Sequence, residues 1–275
     1  MRTIIVPTDF SDNSIAAAKY ASDLACRIRA NLTLLHIYST FVPFADGSMP
    51  PMYIENTEEE YSAGLESLKE KLLDQTGNRI SVHCEILGGP MVDELKRYCE
   101  KVRPLAVVMG AESEGAVGRL LFGGETVEAL GKLSVPLIIV PPDAKFKEYR
   151  RIGLACDLKE VVETLRAPEI KEWVQEFAAE FHIIHINSKF DKPITKKEAV
   201  ESSWIHELFD DLEPKYHYPH AREVEEGILD WAARLKLDLL IIAPKTREFP
   251  DRIFSHSHSR KIALHTEIPV MSFHS

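Results

Sequence analysis

Two stretches of the chain carry residue types suited to holding an anionic ligand that also forms hydrogen bonds. The first is Pro7-Thr8-Asp9, which closes the apolar run Ile4-Ile5-Val6. A carboxylate at a strand end can accept hydrogen bonds from a base or a ribose, and it can equally cap the helix that follows. The second stretch runs from Gly110 to Thr126 and includes Gly110, Gly115, Gly118, Gly123 and Gly124. Glycine allows positive φ and close backbone approach, so such a loop can turn N–H groups toward a phosphate at a helix start. Glu112, Glu114 and Glu125 set negative charge there against Arg119, the loop's single cation. A magnesium ion could offset that repulsion for an anionic ligand. A surface loop without any ligand satisfies the same composition.

Other chemistries find little support. The sequence has no G-x-S-x-G elbow, no Walker A lysine motif and no HExxH pair, so catalysis is not expected. Cys26, Cys84, Cys99 and Cys156 form no CxxC pair and read as free thiols of a reducing compartment. Of the eleven histidines, His182, His185, His206, His217, His220, His256, His258, His265 and His274 fall in the second half. A metal needs three or four converging ligands, and His182 and His185 face opposite ways on a strand. They therefore read as scattered histidines, with zinc disfavoured and a pH response open.

Acidic residues number 43 against 33 basic ones, a formal charge of −10. That surface repels phosphate backbones and anionic lipid, so neither nucleic acid nor membrane is an expected partner. No apolar run nears the ~20 residues that span a bilayer. The start, MRTIIVPTDF, lacks signal-peptide organisation, so a cytoplasmic location is expected.

The elements that must position these residues occur twice. Ile4-Ile5-Val6-Pro7-Thr8-Asp9 has a counterpart in Ile152-Gly153-Leu154-Ala155-Cys156-Asp157, and Leu32–Ile37 one in Phe181–Ile186. Pro104–Met109 matches Leu237–Ile242, and Val135–Val140 matches Ile268–Phe273, in the same order with modest changes of length between them. A chain of 275 residues accommodates two domains at ~150 residues each. The Pro-broken, polar segment Pro141–Phe146 places the boundary, giving domains over 1–142 and 147–275.

Ala17, Ala21, Leu24 and Ile28 follow helical spacing behind an N-cap at Ser11, and Tyr61, Leu65, Leu68 and Leu72 follow it behind a Thr57–Glu60 capping box. Leu95, Tyr98, Cys99 and Val102 predict a third helix. Continuously apolar strands alternating with helices predict an α/β fold with doubly wound parallel sheets. Ser39–Asn56 reads as an irregular surface excursion, with partner binding by its apolar residues the alternative.

Pro7-Thr8-Asp9-Phe10-Ser11, Leu35-His36-Ile37, Val108-Met109-Gly110, Phe122-Gly123-Gly124 and Val135–Val140, in this order and spacing, resemble the universal stress protein family. The resemblance covers both halves and is to the tandem type, which implies two Rossmann-like, adenine nucleotide alpha hydrolase-like domains paired as an intramolecular pseudo-dimer, open to homodimerisation. Some members bind ATP through G-x2-G-x9-G-[S/T]. Gly110 fits the first glycine and Gly123 the third, but Ser113 replaces the second and Gly124 stands where Ser or Thr is expected, with Thr126 two residues on.

The site so implied has Pro7, Thr8, Asp9 and Ile37 at the base. Gly110, Ser113, Gly123, Gly124, Glu125 and Thr126 stand at the phosphates. Each departure in the loop would cost on the order of 1 kcal/mol of affinity. In the second half Ala243, His256 and Ser257 stand at the glycine positions, and the loop from Pro244 to His258 has no glycine, so that copy reads as degenerate. The resemblance thus implies a stress-response regulatory module that binds an adenine nucleotide with magnesium and acts on an unknown protein partner. A ligand-free interaction scaffold, a slow ATPase and a histidine-based zinc protein are the alternatives.

Overall fold

The computed structural model describes residues 2–38, 58–111, 124–187, 196–243 and 266–273. They form two compact units, Met1–Gly110 (unit 1) and Ala111–Ser275 (unit 2). Unit 1 runs β1 (Thr3–Pro7), α1 (Asp12–Ile28), β2 (Asn31–Tyr38), α2 (Glu58–Thr76), β3 (Val82–Gly88), α3 (Met91–Val102) and β4 (Ala106–Gly110). Its strands are ordered β3-β2-β1-β4, and every pair is parallel.

Unit 2 runs α4 (Gly124–Lys132), β5 (Leu137–Val140), β6 (Arg151–Ala155), α5 (Val161–Thr164), α6 (Ala167–Glu176) and β7 (Glu180–Ile184). It continues with α7 (Lys196–Phe209), β8 (Lys215–His217), α8 (Val224–Leu235), β9 (Leu239–Ile242) and β10 (Val270–Ser272). The order β8-β7-β6-β9-β10 is parallel, and β5 joins β10 antiparallel with Ile138 opposite Met271. That pairing draws β5 into unit 2, so the division falls before the Pro141–Phe146 segment.

The predicted helices are present. Ser11 caps α1, its side chain accepting from the Ser14 N–H, which satisfies one of the orphan donors of the first turn. Ala17, Ala18, Ala21, Leu24, Ala25 and Ile28 are buried, and this small-residue face allows α1 to lie close to the sheet. Leu65, Leu68 and Leu72 of α2 are buried, as are Leu95 and Cys99 of α3. Strands β1, β4, β5, β6 and β9 are buried along nearly their whole length, as continuous apolar runs require when both sheet faces are covered. Thr57 and Ser39–Asn56 lie outside the described residues. No helix among those described is long and apolar enough to cross a membrane.

The repeat extends to individual hydrogen bonds. Thr8 N donates to Leu35 O at 2.9 Å, and Cys156 N to Ile184 O at 3.0 Å. Asn31 N donates to Arg2 O as Glu180 N does to Arg150 O, and Leu105 N to Thr3 O as Asp238 N does to Arg151 O. Sequence-matched positions therefore occupy the same rungs of the same ladders.

Candidate functional site

In unit 1 the chain winds from β1 to β2 and β3 on one side and reaches β4 on the other. Such a reversal opens a crevice beyond the carboxyl ends of the two central strands. Residues Thr8–Ser11 follow β1 and Gly110 ends β4, so the first predicted stretch and the opening residue of the second lie at this end of the sheet. The turn is held at several points. Thr8, buried, bonds Ser14 Oγ through its hydroxyl at 3.0 Å, and the same Oγ1 accepts from the Phe10 N–H at 3.1 Å.

Asp9 is exposed, and its Oδ1 accepts from Ser11 N (3.0 Å) and Ser11 Oγ (2.6 Å). Partial burial pushes the Asp9 pKa up, but the Ser11 and Ser14 hydroxyls and the Ser11 N–H outweigh it and hold the carboxyl below its usual value. Asp9 is thus a fixed anion that supports the α1 cap and still faces solvent. Both roles read from sequence, cap support and outward acceptor, are compatible with this geometry.

Phe10 adopts φ 65°, the left-handed region, which costs a bulky residue on the order of 1 kcal/mol or more. The conformation turns the Phe10 ring onto His36, with centroids 4.9 Å apart, and His36 lies 4.2 Å from the Tyr61 ring. Opposite a carbonyl, a ring nitrogen must be a donor; His36 Nδ1–H donates to Thr8 O at 2.8 Å. His36 is buried, and its Nε2 has no hydrogen-bond partner among the described residues.

Ile37, half-buried, lies past the last β1–β2 rung and sits opposite Leu87 of β3. Pro7 is the buried end of β1. Gly110 has a nearer reason to be glycine than a phosphate: a Cβ there would stand 2.6 Å from Asn13 O. Gly124 and Glu125 open α4, and Thr126 is buried in it. Ser113 and Gly123, with the rest of 112–123, lie outside the described residues, as do residues 244–265.

Sequence reading quoted Phe10 and His36 only within motifs, gave them no role at the turn, and did not bring Ser14 or Tyr61 to it. His36 and Ser14 carried a usable signal, since a histidine one strand over and a serine in the first helical turn both reach the end of β1 in a parallel β-α-β unit. It also missed a pair in unit 2. His182 Nδ1 and His217 Nε2 are 2.9 Å apart on β7 and β8, and Glu180 Oε1 lies 2.9 Å from His182 Nε2 and 2.7 Å from Lys215 Nζ. Burial pushes both histidine pKa values down. Among the described residues no cluster of three His, Cys, Asp or Glu side chains is placed to hold a metal ion.

These features define an α/β protein with a parallel-dominated sheet and a crevice at its strand ends. The Universal stress protein family profile matches residues 1–141, and the chain belongs to that family. Universal stress protein MJ0531 of Methanocaldococcus jannaschii is 29% identical over 147 residues, which span 52% of this chain and 84% of that protein. A universal stress protein from Archaeoglobus fulgidus DSM 4304 superposes with a TM-score of 0.74 at 17% identity, over 98% of this chain and 97% of that one. A putative universal stress protein from Pseudomonas aeruginosa UCBPP-PA14 gives 0.66 at 12% identity, over 100% and 93%. At those identities the two structures speak to the fold.

Proposed function

We propose that this protein is a cytoplasmic stress-response regulatory module of two tandem domains, 1–142 and 147–275, and that the first binds an adenine nucleotide with magnesium. Asp9 and Ile37 would meet the base and ribose, with Pro7 and Thr8 shaping that side. The segment from Gly110 to Thr126, including Ser113, Gly123, Gly124 and Glu125, would meet the phosphates. The supporting observation is Asp9 itself, an exposed carboxylate fixed by two hydrogen bonds at the carboxyl end of β1. Its counterpart Asp157 is 4% exposed, in keeping with a second domain that has lost the site.

We read the role as binding, with the Ser11 hydroxyl that donates to Asp9 serving as the α1 cap. Calorimetric titration with ATP and magnesium tests the reading. Binding that weakens about tenfold in Asp9→Asn, one charge-assisted hydrogen bond's worth, supports it; absence of heat at millimolar nucleotide overturns it. A protein-interaction scaffold is the second reading, favoured by Val200 and Trp204 of α7 and by Tyr218, which remain exposed. Dependence of partner capture on Trp204 with no nucleotide effect would favour it.

A further inference from the structure

We propose that His36 is a positioning residue that sets the acid-presenting turn after β1, and that this clamp is a built-in part of the fold repeated in unit 2. The proposal rests on the nucleotide reading for its functional consequence, but its geometry stands apart from it. In unit 1, His36 Nδ1–H donates to Thr8 O at 2.8 Å; in unit 2, His185 Nδ1 meets Cys156 O at 2.9 Å. Each carbonyl belongs to the residue just before the aspartate.

In both units the residue just after the aspartate is bulky and left-handed, Phe10 at φ 65° and Leu158 at φ 50°. In both, that residue's N–H turns back to the side chain two positions earlier: Phe10 N to Thr8 Oγ1 at 3.1 Å and Leu158 N to Cys156 Sγ at 3.4 Å. The aspartates likewise accept from the N–H two positions on, Ser11 at 3.0 Å and Lys159 at 3.2 Å. The side chains have changed from Thr to Cys and from Phe to Leu, while the backbone path and the histidine have not.

A left-handed phenylalanine is a strained choice that persists only where its surroundings over-determine it. The histidine supplies that constraint. By fixing the carbonyl of Thr8 it fixes the peptide plane leading into Asp9. With its ring in tilted contact with those of Phe10 and Tyr61, it also holds Phe10 in place. Asp9, which unit 1 leaves exposed, is then held in one orientation before any ligand arrives, which lowers the ordering cost of binding.

Two variants test this. His36→Leu removes the donor, and His36→Asn returns an N–H near the position of Nδ1. Amide hydrogen exchange on the free protein is read at Phe10 and Ser11, with the β2 amides of Leu32–Leu35 reporting integrity of the fold. Loss of protection at Phe10 and Ser11 in His36→Leu, with β2 protection kept and with recovery in His36→Asn, is the expected result. Affinities are then compared for magnesium–ATP, adenosine and inorganic tripolyphosphate. His36→Leu should weaken ATP and adenosine alike by about tenfold and leave tripolyphosphate unchanged. If wild type binds no nucleotide while the exchange pattern holds, the functional reading fails and the clamp stands. Unaltered exchange at Phe10 and Ser11, or equal loss across β2, overturns the clamp itself.

Discussion

Replacing Gly110 by alanine separates two reasons for a glycine at the end of β4. The added Cβ would lie 2.6 Å from Asn13 O and 2.9 Å from Asn13 C. Both are backbone atoms of α1, so neither can swing aside as a side-chain tip would; the start of α1 must lift off β4. Overpacking of this kind costs about 1–3 kcal/mol, and a contact this short belongs at the upper end. Alanine restricts the unfolded chain and returns about 0.5–1 kcal/mol, which leaves a net loss of roughly 2 kcal/mol. Urea unfolding followed by far-ultraviolet circular dichroism, with exchange of the β1 amides to read unit 1 directly, measures it. Trp173, Trp204 and Trp231 all lie in unit 2, so tryptophan fluorescence tracks that unit separately. A lower midpoint at unchanged slope marks a stability change. If Gly110→Ala unfolds like the wild type, the steric account is wrong, and a selective loss of nucleotide affinity would then assign the glycine to phosphate contact.

The His182–His217 pair predicts acid sensitivity in unit 2. Burial lowers both folded pKa values, so the unfolded chain takes up protons first. Stability should be complete above the ordinary histidine value of about 6.5 and fall as pH drops below it, in thermal melts from about pH 7.5 to 5; His182→Gln should flatten that slope. Asp9 titrates the other way, with a folded pKa below the usual one. Its contribution is present above the unfolded value of about 3.9 and lost as pH falls through the folded one. The Ser11 amide should therefore exchange slowly at about pH 5 and lose protection only below the ordinary carboxylate range. Burial raises Cys84 to about 11 and Cys99 to about 12, so neither should be alkylated by iodoacetamide at about pH 8 in the native protein, as mass spectrometry of the intact chain would show.

Much of this fold was legible because its signals are local. Continuous apolar runs gave the buried strands, and Ser11 ahead of an alanine-lined helical face gave α1 and its cap. The site was legible only in part, since its remaining pieces depend on register and backbone approach. The His182–His217 contact exists because β8 pairs with β7 so that Lys215 stands opposite His182, which places His217 one step diagonally along. Nothing in the spacing of two histidines in separate segments reveals that register. Gly110 reads from sequence as the first residue of a phosphate loop, yet the atom that excludes a side chain there belongs to Asn13, far away in the chain. Phe10 in the left-handed region runs against local preference altogether, because tertiary contacts to His36 hold it there.

The two units then differ in what covers a shared turn. After Asp9 the chain enters α1 at once, and Ser11 caps it from within. After Asp157 it makes the four-residue α5, whose first N–H, that of Val161, is met by Glu201 of α7 at 2.9 Å. An acidic side chain from a later helix thus sits at a position that in unit 1 is served locally. Asp157 is buried where Asp9 is exposed. Backbone hydrogen bonds at the end of β6 repeat those at the end of β1, so the difference in exposure cannot come from the turn. It comes from the elements laid around it. Glu201 brings negative charge to the start of α5, which disfavours a phosphate there, whereas Asp9 meets solvent at the reversal between β1 and β4. Retaining the turn preserves the sheet, and in unit 1 it also leaves the Asp9 carboxylate exposed.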